Sequence, residues 1–187
     1  MPWALGPRVL RSLHEATTPG PGFGPWDGAT GDAAFASFGD ALLQWAEPNP
    51  VEWEPELAER VRERFRALVP ACPDLHHVVH ADVSGPNLIG DEPRITALLD
   101  FGLAMYGEPA YDLAQLVYGL PQLELLPRIH AHLEALGLDT HCLEERLLCY
   151  QLAVVLQSLR WSVLTDQRER YRVSCEKARA LLAASGG

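Results

Sequence analysis

An α+β fold, mostly helical with one small β insertion, is what these 187 residues predict. Apolar side chains recur at helical spacing over most of the chain. Only residues 76–100 break into short apolar runs bounded by turn residues, the pattern of strands. The concentrated polar groups of HADVSGPNL, residues 80–88, lie in that same insertion.

Taken in order, residues 4–16 carry Leu10, Leu13 and His14 at helical spacing, with Pro7 suited to a first helical turn. TTPGPGFGPWDGATGD, rich in Gly and Pro, reads as a loop. Residues 32–46 read as helix again, with Phe35, Phe38, Leu42 and Trp45 on one face. Residues 54–69 form the clearest amphipathic helix: Pro55 in the first turn, Glu at the start, and Leu57, Val61, Phe65 and Leu68 as its apolar stripe. Arg60, Arg62, Arg64 and Arg66 read as its solvated face, paired with Glu56, Glu59 and Glu63. Strands are expected at 76–80, 87–90 and 94–100, with Gly90-Asp91-Glu92-Pro93 turning between the last two. Helices follow AMYGEP: AYDLAQLVYGL, then 122–136, 143–164 and 167–184. Trp45, Trp53 and Trp161 are read as packing aromatics.

The composition is that of one globular domain, 48% apolar and 21% charged, without repeats. It divides into 1–53 (entry helices and the Gly/Pro-rich loop), 54–120 (the core with the polar motifs) and 121–187 (terminal helices). A net charge of −10 disfavours nonspecific nucleic-acid binding, which needs clustered cations. The basic residues are 14 Arg and one Lys, Lys177. No stretch reaches the ~20 uninterrupted apolar residues of a membrane helix, so no membrane role is expected. MPWALGPRVL lacks a basic start and an apolar run, so no secretory signal is expected either. Cys72, Cys142, Cys149 and Cys175 are scattered and are read as reduced core thiols of a cytoplasmic protein.

Asp82, Asn87, Asp100 and Asp112 carry the chemistry. If 87–90 and 94–99 pair as a hairpin, Asn87 lies beside Asp100, with Asp82 a loop away. Two carboxylates and an amide oxygen at strand ends make a hard-oxygen site suited to Mg²⁺. A carboxylate free of the metal accepts a proton, the arrangement that phosphoryl transfer requires. A transition-metal cluster of His76, His77, His80 and Asp82 is disfavoured, because adjacent strand residues face opposite ways. Asp112 taken alone reads as a helix N-cap.

His80-Ala81-Asp82 with Asn87 resembles the HxDxxxxN catalytic loop of the aminoglycoside phosphotransferase and choline kinase-like family, a protein-kinase-like fold. Asp100-Phe101-Gly102 is similar to that family's metal-binding aspartate motif, and GEPAYDLA (107–114) to its G-D-P-x-Y-D-L-A segment. LRSLHEA and the GFG of 22–24 resemble the entry to its helical lobe. The resemblance implies Asp82 as catalytic base, Asn87 and Asp100 as Mg²⁺ ligands, and His80 and Asp112 as structural support of the loop. It implies ATP or GTP as phosphate donor and a small-molecule hydroxyl as acceptor, such as an aminoglycoside or another amino alcohol or sugar. The acidic net charge suits a cationic acceptor.

Two departures stand out: Ala81 where the family commonly has Gly, and Val83-Ser84 where Leu-His is frequent. The expectation is of a C-terminal lobe with its N-terminal β lobe absent. No strand-rich segment is expected before residue 54, and Lys177 sits too late in the chain to grip phosphates. GPGFG (20–24) has no expected strand beside it, so nucleotide-binding residues are unassigned. A partner chain or self-association covering the missing lobe is one consequence. A catalytically inactive lobe or binding module is the alternative function.

Overall fold

A computed structural model describes residues 7–16, 20–49, 51–91, 94–120 and 125–184. Its helices are α1 (Pro7–His14), α2 (Phe38–Leu43), α3 (Pro55–Leu68), α4 (Ala110–Gly119), α5 (Leu126–Ala135), α6 (Leu143–Leu164) and α7 (Arg168–Ala184). Its strands are β1 (Phe23–Trp26), β2 (Ala33–Phe35), β3 (His77–Val79), β4 (Leu88–Asp91), β5 (Arg94–Leu98) and β6 (Met105–Gly107). The expected helices at 54–69, 110–120, 143–164 and 167–184 are present. Residues 1–6, 92–93 and 121–124, on which parts of the first helix, the hairpin turn and the fifth helix were expected, lie outside the described residues.

α6 is the axis of the helical half, packed against α3, α4 and α7. By length and composition it could cross a membrane, but 61% of its apolar window is buried inside the domain. A helix apolar on all sides is what a core position demands. α3 lays Leu57, Val61, Phe65 and Leu68 against it.

Arg62 departs from the solvated-face reading. It is only 5% exposed, with Nη1 2.5 Å from Glu52 Oε1 and Nε 2.7 Å from Glu59 Oε2. The segment preceding α3 supplies Glu52, a partner that helix spacing alone does not reveal. Trp161 is 52% exposed, so of the core or lobe-packing roles expected for it the core one does not hold. Of the thiols, Cys149 and Cys175 are buried, but Cys142 is exposed at the α6 N-cap.

Six strands, not three, are formed among the described residues. One sheet runs β2-β1-β6-β3, all antiparallel, and β4-β5 is a separate hairpin. The reading of a pure loop before residue 32 is therefore wrong, as is the absence of strands before residue 54. Gly22 and Gly24 sit at φ +84° and +80°, and a Cβ on Gly24 would come 2.9 Å from the Cβ of Ala41 on α2. These glycines let a strand pass close to a helix; they do not mark a loop. The expected 32–46 helix begins only at Phe38, because the Ser37 hydroxyl caps it by accepting from the Asp40 amide at 3.0 Å. Residues 33–35, left outside the cap, pair with β1. β6 escaped detection because it is three residues long and wholly buried. Its Gly107 lies against the Phe38 ring, where an added Cβ would fall 2.4 Å from Cε2.

Candidate active site

The expected hairpin exists. Leu88 faces Leu98 and Ile89 faces Ala97, and the Leu99 amide extends the ladder by donating to the Asn87 carbonyl at 2.9 Å. That bond places Asn87 and Asp100 at the same end of the hairpin. The 3-10 turn Gly85–Asn87 joins this end to the loop bearing Asp82.

Asp82 is nearer to Asn87 than sequence spacing suggested. Asn87 Nδ2 donates to the Asp82 carboxylate Oδ2 at 2.8 Å and to its carbonyl at 3.0 Å. The loop between them is tightened by the Ser84 amide to the Asp82 carbonyl, 2.9 Å, and the Asn87 amide to the Ser84 carbonyl, 3.0 Å. With the Asn87 amide group turned toward Asp82, its oxygen is the atom left for a cation. Asp100 is exposed and left-handed, with φ +60°, and its Oδ1 accepts from the Gly102 amide at 3.2 Å. An amide oxygen and an exposed carboxylate are hard donors that fit Mg²⁺.

His80 links these two parts. Its Nε2 lies 2.8 Å from the Leu99 carbonyl, so that nitrogen carries the proton. Nδ1 is then the acceptor, and it receives the Asp82 amide at 3.2 Å. The ring, edge-on to Phe101 at 4.6 Å between centroids, ties the Asp82 loop to the strand that ends in Asp100. His76 and His77 are engaged elsewhere, with the carbonyls of Gly22 (2.6 Å) and His14 (2.8 Å).

The loop is held from beneath by α4. Asp112 is fully buried; its Oδ2 accepts the His80 amide and its Oδ1 the Ala81 amide, both at 2.8 Å. Gln115, which the sequence reading missed, continues the hold one turn later. Its Oε1 accepts the Val83 amide at 2.6 Å, and its Nε2 donates to the Ala81 carbonyl at 2.5 Å. The spacing of Asp112 and Gln115, three residues on one helix face, is the signal that was available. Ala81 sits at φ +61°, so the position does call for the left-handed region where glycine is at ease.

Behind this face, Glu108 is buried beside Arg146 (3.6 Å) and accepts from the Tyr150 hydroxyl. Burial pushes its carboxyl up to about 6. Tyr111, donated to by Gln157 at 2.6 Å, is raised above the ordinary phenol range, chiefly by burial.

Comparison with known proteins gives a consistent result. The model of the Phosphotransferase enzyme family matches residues 8–146. A curated hygromycin-B 4-O-kinase from Escherichia coli is 27% identical over 142 residues, covering 63% of this chain and 41% of that protein. A thermostable mutant of aminoglycoside phosphotransferase APH(4)-Ia, solved as a ternary complex with AMP-PNP and hygromycin B, aligns with a TM-score of 0.75 at 23% identity. That alignment covers 95% of this chain and 62% of the solved one. The apo form of the thermostable enzyme aligns equally, covering 63% of its chain. The present chain thus spans about two fifths of the curated relative and about three fifths of the solved ones. Mostly helical with small antiparallel sheets, it has their fold.

Proposed function

Because the chain belongs to the phosphotransferase enzyme family, we propose that it forms the helical, acceptor-facing part of a kinase that moves a nucleotide γ-phosphate onto a hydroxyl of a small molecule. The observation that carries the reading is the Asp82–Asn87 contact of 2.8 Å at the hairpin end that also presents Asp100. Asp82 is the base that orients the acceptor hydroxyl and takes its proton. Asn87 and Asp100 are the residues that would hold Mg²⁺; bound there, the ion would neutralise charge on the nucleotide phosphates. His80 and Asp112 support the loop. ATP is the favoured donor over GTP, since solved relatives hold AMP-PNP or ADP. The favoured acceptor is a cationic aminoglycoside of the hygromycin class, in keeping with the named substrate of the curated relative and a net charge of −10.

The division into entry (1–53), core (54–120) and terminal helices (121–187) is proposed as one of roles only, since β1 of the first part pairs with β6 of the second. The C-terminal-lobe reading draws support from an apolar rim beside Asp100. Ile89, Leu99, Phe101 and Leu103 are each 44–52% exposed, a grouping that a nucleotide-covering lobe would bury. That lobe would belong to a longer polypeptide or a partner chain.

Calorimetry with Mg²⁺ and AMP-PNP, with Asp100→Ala in parallel, tests the reading. Mg²⁺-dependent binding that Asp100→Ala abolishes is expected. Phosphate transfer to hygromycin B, restored by adding the covering lobe, should vanish in Asp82→Ala. Transfer that survives Asp82→Ala, or nucleotide binding indifferent to Asp100, would overturn the assignments.

A further inference from the structure

The polar chain behind the loop does not stop at Asp112. His14, on α1, is fully buried, and its Nε2 lies 3.0 Å from Asp112 Oδ2. Its Nδ1 lies 2.9 Å from Nε2 of His132 on α5, a half-buried residue that reaches the surface. The two rings meet edge-on, with centroids 5.2 Å apart.

Donor direction follows from the chemistry of the end group. An ionised carboxylate only accepts, so His14 Nε2 carries a proton. In the uncharged ring Nδ1 is then the acceptor, and His132 must donate to it from Nε2. In that tautomer the donors run from the surface inward: His132 to His14, His14 to Asp112. Asp112 in turn accepts from the His80 and Ala81 amides immediately before Asp82.

α1 is anchored on both sides of this chain. The His14 carbonyl pairs with His77 Nδ1 at 2.8 Å, on the strand that feeds the loop. Arg11 Nη2 reaches the Ala135 carbonyl at the end of α5, 3.5 Å away. A histidine serving only to fill the core would not need its nitrogens matched to a carboxylate on one side and an imidazole on the other. Nor would it share its carboxylate with the two amides that shape a site. His132 has its basicity lowered, to about 4, chiefly by burial, which keeps it uncharged near neutral pH.

We propose that His14 and His132 are positioning residues for the Asp82 loop. His132 fixes the tautomer of His14, and His14 holds the Asp112 carboxylate at the angle from which its two oxygens bind the His80 and Ala81 amides. The proposal deepens the phosphotransferase reading and rests on it only for the meaning of Asp82. The contacts themselves are open to test without turnover.

The test is NMR on the full chain. Histidine ¹⁵N shifts report tautomers, and amide hydrogen exchange reports the grip on His80 and Ala81. Both His14 and His132 are expected as Nε2–H tautomers. His14→Phe keeps a ring of similar shape without a donor. It should speed exchange at the His80 and Ala81 amides about tenfold or more, the worth of one hydrogen bond to a charged group. His14→Gln, whose amide nitrogen can replace Nε2–H, should bring both amides back to within about threefold of wild type, since the lost bond is re-formed. Amides of α6 should be unmoved in either variant.

A proton on His14 Nδ1 in the wild type would overturn the proposal. So would His80 and Ala81 amides indifferent to His14→Phe, or a Gln variant as fast as the Phe one. Should His14→Phe fail to fold, His132→Leu at the half-buried end decides. It should shift the His14 Nδ1 resonance to that of an unbonded acceptor and speed the same two amides, and no change in both would sink the idea. Failure of nucleotide binding with these results intact would count against the phosphotransferase reading alone.

Discussion

Replacing Asp112 removes the acceptor on which the loop most depends. Its two oxygens receive three buried donors: the His80 amide (2.8 Å), the Ala81 amide (2.8 Å) and His14 Nε2 (3.0 Å). Asp112→Asn keeps the shape and one oxygen. The best orientation leaves that oxygen on the side of His80 and His14, and turns the new NH₂ toward the Ala81 amide, donor against donor. One unsatisfied buried donor costs about 1–3 kcal/mol, so Asp112→Asn should destabilise by about 2 kcal/mol. Asp112→Ala strands all three donors. It relieves the desolvation of a buried charge in part, so a loss of about 3–5 kcal/mol is expected, less than three independent penalties. Urea unfolding reads both values. With a slope of about 2–3 kcal/mol/M, Asp112→Asn should lower the midpoint by about 0.7–1 M at unchanged slope. The reasoning fails if Asp112→Asn unfolds within about 0.5 kcal/mol of wild type, the scatter of ordinary surface substitutions.

Two further outcomes follow from buried groups elsewhere. Glu108, held at about 6 against an ordinary 4.5, binds its proton more tightly folded than unfolded; its contribution is fully present below pH 4.5 and is lost as pH rises to about 6. The shift amounts to about 2 kcal/mol. The stability gap between Glu108→Gln and wild type should therefore move by that amount in favour of Gln from pH 4.5 to 7, and a gap independent of pH would refute it. Comparing the two proteins also cancels His132, whose lowered basicity acts in the opposite direction, losing stability as pH falls from 6.5 toward about 4. Gly107→Ala forces a methyl to within 2.4 Å of the fully buried Phe38 ring. Overpacking of that kind costs about 1–3 kcal/mol and should lower the melting temperature by several degrees; an unchanged melt would mean the ring moves aside freely.

What the sequence disclosed depended on how local the cause was. α3, α6 and α7 were legible because an apolar period over 14, 22 and 17 residues leaves little choice of structure. The β4–β5 hairpin was legible because turn residues separate two short apolar runs. β1, β2 and β6 were not: each is three or four residues long, β1 and β6 pair with strands distant in sequence, and β2 forms only against β1. At the site, the residue types and their order pointed to one cluster. The contacts that hold it did not show. Gln115 looked like any polar helix residue, and His14 like a member of an apolar stripe. Arg62 read as solvated because its partner Glu52 comes from outside the helix.

The shape of the Asp82 loop is imposed on it rather than chosen by it. Ala81 and Asp100 both occupy left-handed backbone, at φ +61° and +60°, on either side of the candidate site. For a residue with a Cβ this costs roughly 1–2 kcal/mol each, and a free loop of this sequence would relax. It cannot relax here. The Ala81 amide is bound by Asp112 and its carbonyl by Gln115, while the Val83 amide two residues on is bound by Gln115 again. Asp100 caps the 3-10 turn Phe101–Leu103, its own side chain accepting from the Gly102 amide. Glycine at position 81 would adopt the same conformation with less strain, but would leave that conformation more easily. An alanine clamped at amide and carbonyl gives up some stability and in return cannot swing. If Asp82 is the base proposed above, this fixation would hold its carboxylate within hydrogen-bond reach of an acceptor hydroxyl.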